Sequence, residues 1–271
     1  MDHQEGGSLK VVKQIGKLFL KMHKYCDISK MSVREIPKSM AKPMVVKHHY
    51  SHLWTKCSLA FGLFHDTGEE HSFFDEKKEK MIGVIVYGDP IGRHAGASIS
   101  ELLERTDVYE LTRLFIFDGY GSNIESWFIG QTIKWLQKNT KLKALISYAA
   151  PQEGHNGTVY QATNWIYQGN KIRPNDAWVF KFDEDGEWQH GRTIFPYYKT
   201  NDPEKIREQV KKPFWLKKEL RKHRYVYLLG NRGQRKKILN TLKYPSLPYP
   251  KEKISPKELE IIKMDPISGK G

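Results

Sequence analysis

The sequence predicts a mixed α/β protein, in the broad sense that includes α+β. Three observations carry that expectation. Residues 81–87 form an apolar run closed by Gly88, Asp89 and Pro90, the punctuation that ends a strand. Residues 124–138 space Ile124, Phe128, Ile129, Ile133 and Leu136 as a helix buries one face. Segments of these two kinds then alternate along the chain instead of segregating.

The remaining elements follow in order. Residues 33–36 read as a short strand. From Ser39 to Leu53 the pattern is helical, with Pro43 expected in the first turn, where a missing N–H costs little. Residues 58–64 read as a strand, 66–80 as a polar loop and 98–105 as a short helix. Residues 110–117 are a strand, and Asp118 to Asn123 a turn before the helix at 124. Residues 144–148 are a short apolar strand, 157–165 a helix and 177–182 an alternating strand. Residues 1–31 form a basic amphipathic lead-in, 32–200 a core, 201–250 a basic extension and 251–271 a polar, mobile tail.

The chain has 271 residues and a formal charge of +14. A charge this large points to an anionic partner, nucleic acid before a membrane surface. Cys26 and Cys57 suggest neither a disulfide framework nor a cysteine-rich zinc site. The first apolar stretch, 11–22, is broken by Lys13, Lys17 and Lys21, so it fails as a signal sequence or a membrane span. These features read as a soluble intracellular protein with no membrane partner; they do not indicate an oligomeric state.

Four constellations could carry chemistry. Gly119, Gly121, Ser122 and Asn123 precede a helix whose first N–H groups favour a phosphate, although many such junctions use glycine only to turn. On the preceding strand, Glu110, Thr112, Leu114 and Ile116 share one face, and Leu111, Arg113, Phe115 and Phe117 the other. An arginine in that apolar row needs either a structural partner or a ligand. His48 and His52 are four apart and on a helix could reach one metal, or could be surface histidines. Beside them Tyr50 could be a general acid or an ordinary tyrosine. The segment 147–165 places a strand end, a polar loop and a helix start together, with Gln161 and Asn164 as functional groups or braces. Last, the basic residues after 204 interleave with Trp215, Tyr225 and Tyr227, whose rings could stack on unstacked bases.

Together these pieces resemble the Mom family of phage DNA-modification proteins, from about His48 to Lys251. The motifs are the 110–113 strand, Glu125-Ser126, Gly154-His155-Asn156-Gly157, the run from Tyr160 to Trp165, and Tyr249-Pro250-Lys251. The family resembles GNAT acyltransferases. The resemblance therefore implies a mostly antiparallel central sheet flanked by helices, with acetyl-CoA or another acyl-CoA held by Phe115, Ile116, Phe117, Gly121, Ser122, Asn123 and Ser126. It implies catalytic roles for His49, Tyr50, Arg113, Ser126 and Tyr160. The implied reaction is transfer of a carbamoylmethyl-type group to adenine in double-stranded DNA, in a host cytoplasm if phage-encoded, which defeats restriction enzymes.

DNA-facing residues are then Tyr148, His155, Asn164, Lys217, Lys218, Arg221, Arg224, Arg235, Lys236 and Lys237. The family is also linked to iron through the positions of His49, Tyr50 and Tyr160 and an aspartate. Here that position is Ala150, which cannot bind a metal, and Glu153 is the nearby candidate substitute. The alternatives are a transferase for another base or acyl donor, and a non-catalytic DNA-binding protein on the same fold.

Overall fold

The computed structural model describes residues 27–67, 79–151, 154–170, 178–251 and 260–267. The lead-in up to residue 26, most of the 66–80 loop and Glu153 lie outside them. The chain divides into two units. The first comprises the described residues of Met1–Ser147, Val159–Ile166 and Val226–Ser246, and the second those of Tyr148–Thr158, Tyr167–Tyr225 and Leu247–Gly271.

The first unit is built on a meander. Strands β1 (Met31–Glu35), β2 (Leu59–Asp66), β3 (Glu79–Gly88) and β4 (Val108–Ile116) pair antiparallel in sequence order. β5 (Ala144–Ala149) lies parallel to β4. β10 (His223–Leu228) and β6 (Ile166–Tyr167) complete the strand order β1-β2-β3-β4-β5-β10-β6.

Helices cover both faces of the meander. α1 (Lys38–His48) buries Ala41 and Val45 against Ala60, Phe64, Val84 and Val86. On the other side α3 (Ile124–Asn139) sets Trp135 edge-on to Phe61, and Thr132 hydrogen-bonds the buried Tyr87 hydroxyl at 2.7 Å. This double cover explains why β3 is apolar along both of its faces. The architecture is the expected mixed α/β fold with a mostly antiparallel sheet flanked by helices.

The second unit has its own antiparallel sheet, in the order β11-β9-β7-β8. Its strands are β7 (Trp178–Lys181), β8 (Gln189–His190), β9 (Phe214–Lys218) and β11 (Ile261–Met264). Phe180, Phe214 and Leu216 pack with Ile194 of α5 (Gly191–Tyr198) and Ile206 of α6 (Pro203–Gln209).

Several expectations are corrected. α1 ends at His48, and His49 is already extended at φ −72°, ψ 139°. His48 and His52 therefore share no helical face. Pro43 lies well inside α1 rather than in its first turn, where it removes one intrahelical donor. The helix expected over 98–105 lies earlier, as α2 (Ala95–Ile99), followed by a short 3-10 turn at Arg105–Asp107. The helix expected over 157–165 is a single turn, α4 (Thr158–Gln161), because Asn164 turns left-handed at φ 59°.

Residues 201–250 are no appendage. They supply β9 and β10 to the sheets and Ile238 of α7 (Arg232–Asn240) to a core with Ile99, Val108 and Val226. Nor is the tail wholly free, since Ile262 and Met264 of β11 pack beside Phe214. Basic composition masked these elements because only alternate or every third residue has to be apolar. Among the described residues no helix is long and apolar enough to cross a membrane.

In the second unit Tyr167 Oη lies 2.7 Å from His223 Nδ1, and both residues are buried. Burial holds the His223 pKa below its ordinary 6.5. The unfolded chain therefore binds the proton more readily, and stability falls as pH drops below about 6.5 toward the folded value. Urea melts of the wild type from pH 7 to 5 are expected to show this loss, and His223→Gln to flatten it.

Candidate functional site

β4 organises the candidate site of the first unit. Its pairing with β5 runs only from Val108 opposite Ala144 to Glu110 opposite Ile146, although both strands continue. On its other edge β4 carries a bulge: Val86 faces Arg113 and Tyr87 faces Leu111, leaving Thr112 unopposed. A bulge re-aims the residues around it and shifts the alternation by one, so the two clean faces expected over 110–117 do not persist through Thr112.

Where the β4–β5 ladder ends, Ser147 Oγ takes its place. It lies 2.9 Å from the Leu111 carbonyl and 2.8 Å from the Tyr160 hydroxyl, and Ser147 is buried. Ser147 has one proton to give. When it donates to Tyr160, the phenol's own proton is directed elsewhere; when it donates to Leu111, the phenol can donate to Ser147. Tyr160 is 8% exposed and packs on the fully buried Trp165, which fixes its ring. Sequence reasoning had Tyr160 but not Ser147, whose role depends on where the ladder stops.

At the bulge Arg113 is held by main chain. Its Nε donates to the Leu53 carbonyl at 3.1 Å and its Nη1 to the Thr112 carbonyl at 2.6 Å. These are structural partners, yet they use two of the five guanidinium N–H donors. Half-burial lowers its pKa, while the neighbouring Tyr50 and Glu110 raise it. The guanidinium stays a cation at neutral pH. Tyr50 is 54% exposed, and its ring lies 4.2 Å from that of the buried His49.

Beyond Arg113, Phe115 and Phe117 pack against His48 at ring distances of 5.6 and 4.8 Å. The turn that follows needs its glycines: Gly119 and Gly121 sit at φ 95° and 100°. Asn123 is also left-handed, and α3 begins with no side-chain cap. Its first N–H groups thus have neither an intrahelical nor a side-chain cap acceptor. Ser126 Oγ turns back to the Asn123 carbonyl at 2.9 Å. An uncapped sixteen-residue helix after a glycine turn, with a guanidinium on the preceding strand, suits the pyrophosphate and thioester of an acyl-coenzyme A.

The residues do not suit iron. His49 Nδ1 is engaged at Ser51, 3.1 Å from its N–H and 2.9 Å from its hydroxyl. Ala150, buried in the second unit, brings no donor, and Glu153 lies outside the described residues. Among the described residues no group of three histidine, cysteine or carboxylate side chains is placed to hold a metal.

In the second unit Tyr148 and His155 are exposed. Tyr225 is buried and its hydroxyl donates to the Asn156 carbonyl at 2.5 Å. This overturns its expected stacking on a base. Arg224 is only 3% exposed and is likewise no surface contact. Lys217 lies over the Trp188 ring at 4.5 Å; Lys218 is exposed and Arg221 half-buried. In the first unit Tyr227 leans on Trp165, Asn164 is an exposed turn residue, and Lys236 and Lys237 are exposed with Arg235 half-buried.

The family model described as the Mom protein family matches residues 30–251. The chain belongs to the Mom family. A Mom relative, the methylcarbamoylase mom of Escherichia phage Mu, is 24% identical over 223 residues, 82% of this chain and 84% of that one. Solved structures similar to this Mom protein include the spermidine N-acetyltransferase of Vibrio cholerae, at TM-score 0.39 and 8% identity over 74% of this chain and 94% of that chain. An Arabidopsis thaliana NAA60 structure with acetyl-CoA also matches, at TM-score 0.39 and 9% identity over 74% and 99%. At such scores the fold rests on the chain's own topology.

Within the 154–157 motif, Gly157 is required twice over. Its φ is 80°, and an added Cβ would strike the Tyr225 ring. Gly157→Ala is expected to cost about 3 kcal/mol through strain and overpacking. Chemical denaturation would read it, and a wild-type midpoint would refute it.

Proposed function

We propose that this Mom protein transfers an acyl-derived group from the sulfur of an acyl-coenzyme A to the exocyclic amine of adenine in double-stranded DNA. The observation that carries the reading is the bulge in the middle of β4, with Arg113, the Ser147–Tyr160 pair and the uncapped start of α3 arranged along one strand and its continuation. Membership of a family that includes a methylcarbamoylase supports a transferase. The charge of +14 supports a polyanionic substrate.

The coenzyme supplies an activated group on sulfur. The chain's own residues do the rest. The first-turn N–H groups of α3 and the Gly119 and Gly121 turn would hold its phosphates. Arg113 would steady negative charge near the reacting carbonyl. Tyr160, with its phenol oxygen supported by Ser147, would hand a proton to the departing thiolate, and the exposed Tyr50 is a second candidate for proton transfer. The adenine has to leave the base stack for its amine to reach such a site. A bulky group on that amine would block the major-groove contacts that a restriction enzyme reads.

Mass spectrometry of nucleosides from plasmid DNA co-expressed with the protein tests this. A heavier deoxyadenosine is the expected result. An adduct on another nucleoside, or of a different mass, would favour the second reading: a related transferase with another base or donor, which Ala150 supports by replacing the family's aspartate. Unmodified DNA together with no coenzyme A binding by calorimetry would sink both in favour of a DNA-binding protein.

A further inference from the structure

From Leu220 to Pro250 the chain contains no Asp or Glu. Within this stretch lies α7, nine residues long, carrying Arg232, Arg235, Lys236 and Lys237. One side is anchored, with Ile238 buried among Ile99, Val226 and Leu228 and Leu242 packed against them. Both ends are fixed. Asn231 and Gln234 form a reciprocal capping box. At the other end Thr241 lies 2.6 Å from Ser100 Oγ, and the Lys243 N–H donates to the Ile99 carbonyl. The basic residues therefore ride on a rigid rod.

Their angular order is specific. At about 100° per residue, Arg232 and Lys236 lie about 40° apart on the outward side of the helix. Arg235 and Lys237 fall on its two flanks, about 160° apart. Gly233, Leu239 and Asn240, all exposed, fill the outward side between them. With its side chains the helix is about 10–12 Å across, close to the width of about 12 Å of the major groove of B-form DNA.

We propose that α7 is the groove-docking helix for the double-stranded DNA substrate. Arg235 and Lys237 meet the phosphates of the two strands, while Arg232 and Lys236 face the base edges. The helix matches the groove in size and charge: two flanks for two rows of phosphates, and an outward face narrow enough, at Gly233, to approach bases. The assignment rests on the DNA-modification reading. It adds what that reading lacks, a source of sequence preference, because an arginine or lysine in the major groove recognises guanine. It also brings in Arg232, a member of the basic region that is not among the expected DNA-facing residues.

The test measures affinity of the full chain for labelled duplexes of differing sequence across a range of salt concentrations. The R235Q/K237Q pair is expected to weaken binding to every duplex and to lower the slope of log affinity against log salt by about two. The R232Q/K236Q pair is expected to compress the preference between best and worst duplex by about tenfold or more. K42Q, an exposed lysine of α1, is expected to match wild type. Circular dichroism verifies that each variant is folded. Wild-type slope and preference in both double variants, from a protein that still modifies plasmid DNA, would overturn the helix assignment and leave the reaction standing. Equal binding to anionic lipid vesicles with the same dependence on these residues would also overturn it. A wild type that neither binds duplex nor modifies DNA would overturn the underlying reading.

Discussion

Arg113→Ala is expected to reduce the DNA adduct by about a hundredfold or more, the usual cost of losing one preorganised charged donor. The reason lies in how the side chain is held. Two of its N–H groups bind the Leu53 and Thr112 carbonyls and fix the guanidinium at the bulge, while the rest of the fork and the positive charge remain for a ligand. Arg113→Lys keeps the charge but cannot bridge those two carbonyls while presenting a planar fork, so it is expected to restore little. The measurement is nucleoside mass spectrometry beside coenzyme A calorimetry. Full modification by the alanine variant would reduce Arg113 to a brace between β4 and the segment after α1.

Tyr160→Phe is expected to lower turnover by about a hundredfold or more, with a small effect on stability. Removing the phenol oxygen leaves Ser147 with the Leu111 carbonyl as its acceptor, so no buried donor loses its last partner. The ring, and its packing on Trp165, is retained. Ser147→Ala is the companion experiment. It keeps the phenol but removes its support, and is expected to shift the pH profile of turnover more than the apparent affinity for the coenzyme. A Tyr160→Phe enzyme with wild-type turnover would move the proton-transfer role to Tyr50.

The reading of α3 from sequence succeeded because sixteen residues offer enough turns for a period of 3.6 to declare itself. β3 and β4 were legible from their β-branched and aromatic content. Residues after 200 were not. β9 and β10 bury Phe214, Leu216, Tyr225 and Val226 between lysines and arginines, and two-residue alternation over five or six positions is easily lost in a charged background. α4 was overestimated because 157–165 carries helix-compatible residues, and Asn164, of a type prone to the left-handed region, was read as a member of the helix.

The amino-acid sequence by itself determined the mixed α/β class, the glycine turn before α3, the net charge that calls for a polyanion, and the motifs that resemble the Mom family. Each is a local or summed property of residues. Only the tertiary structure decided what Arg113 holds, that Ser147 takes up the Leu111 carbonyl where the ladder stops, and that Tyr225 and Arg224 face inward. It also decided the tethering of α7. Those outcomes depend on which strand edges pair, how far they pair and which way a bulge turns the next residue. They come from contacts between segments far apart in the chain, which no local pattern records.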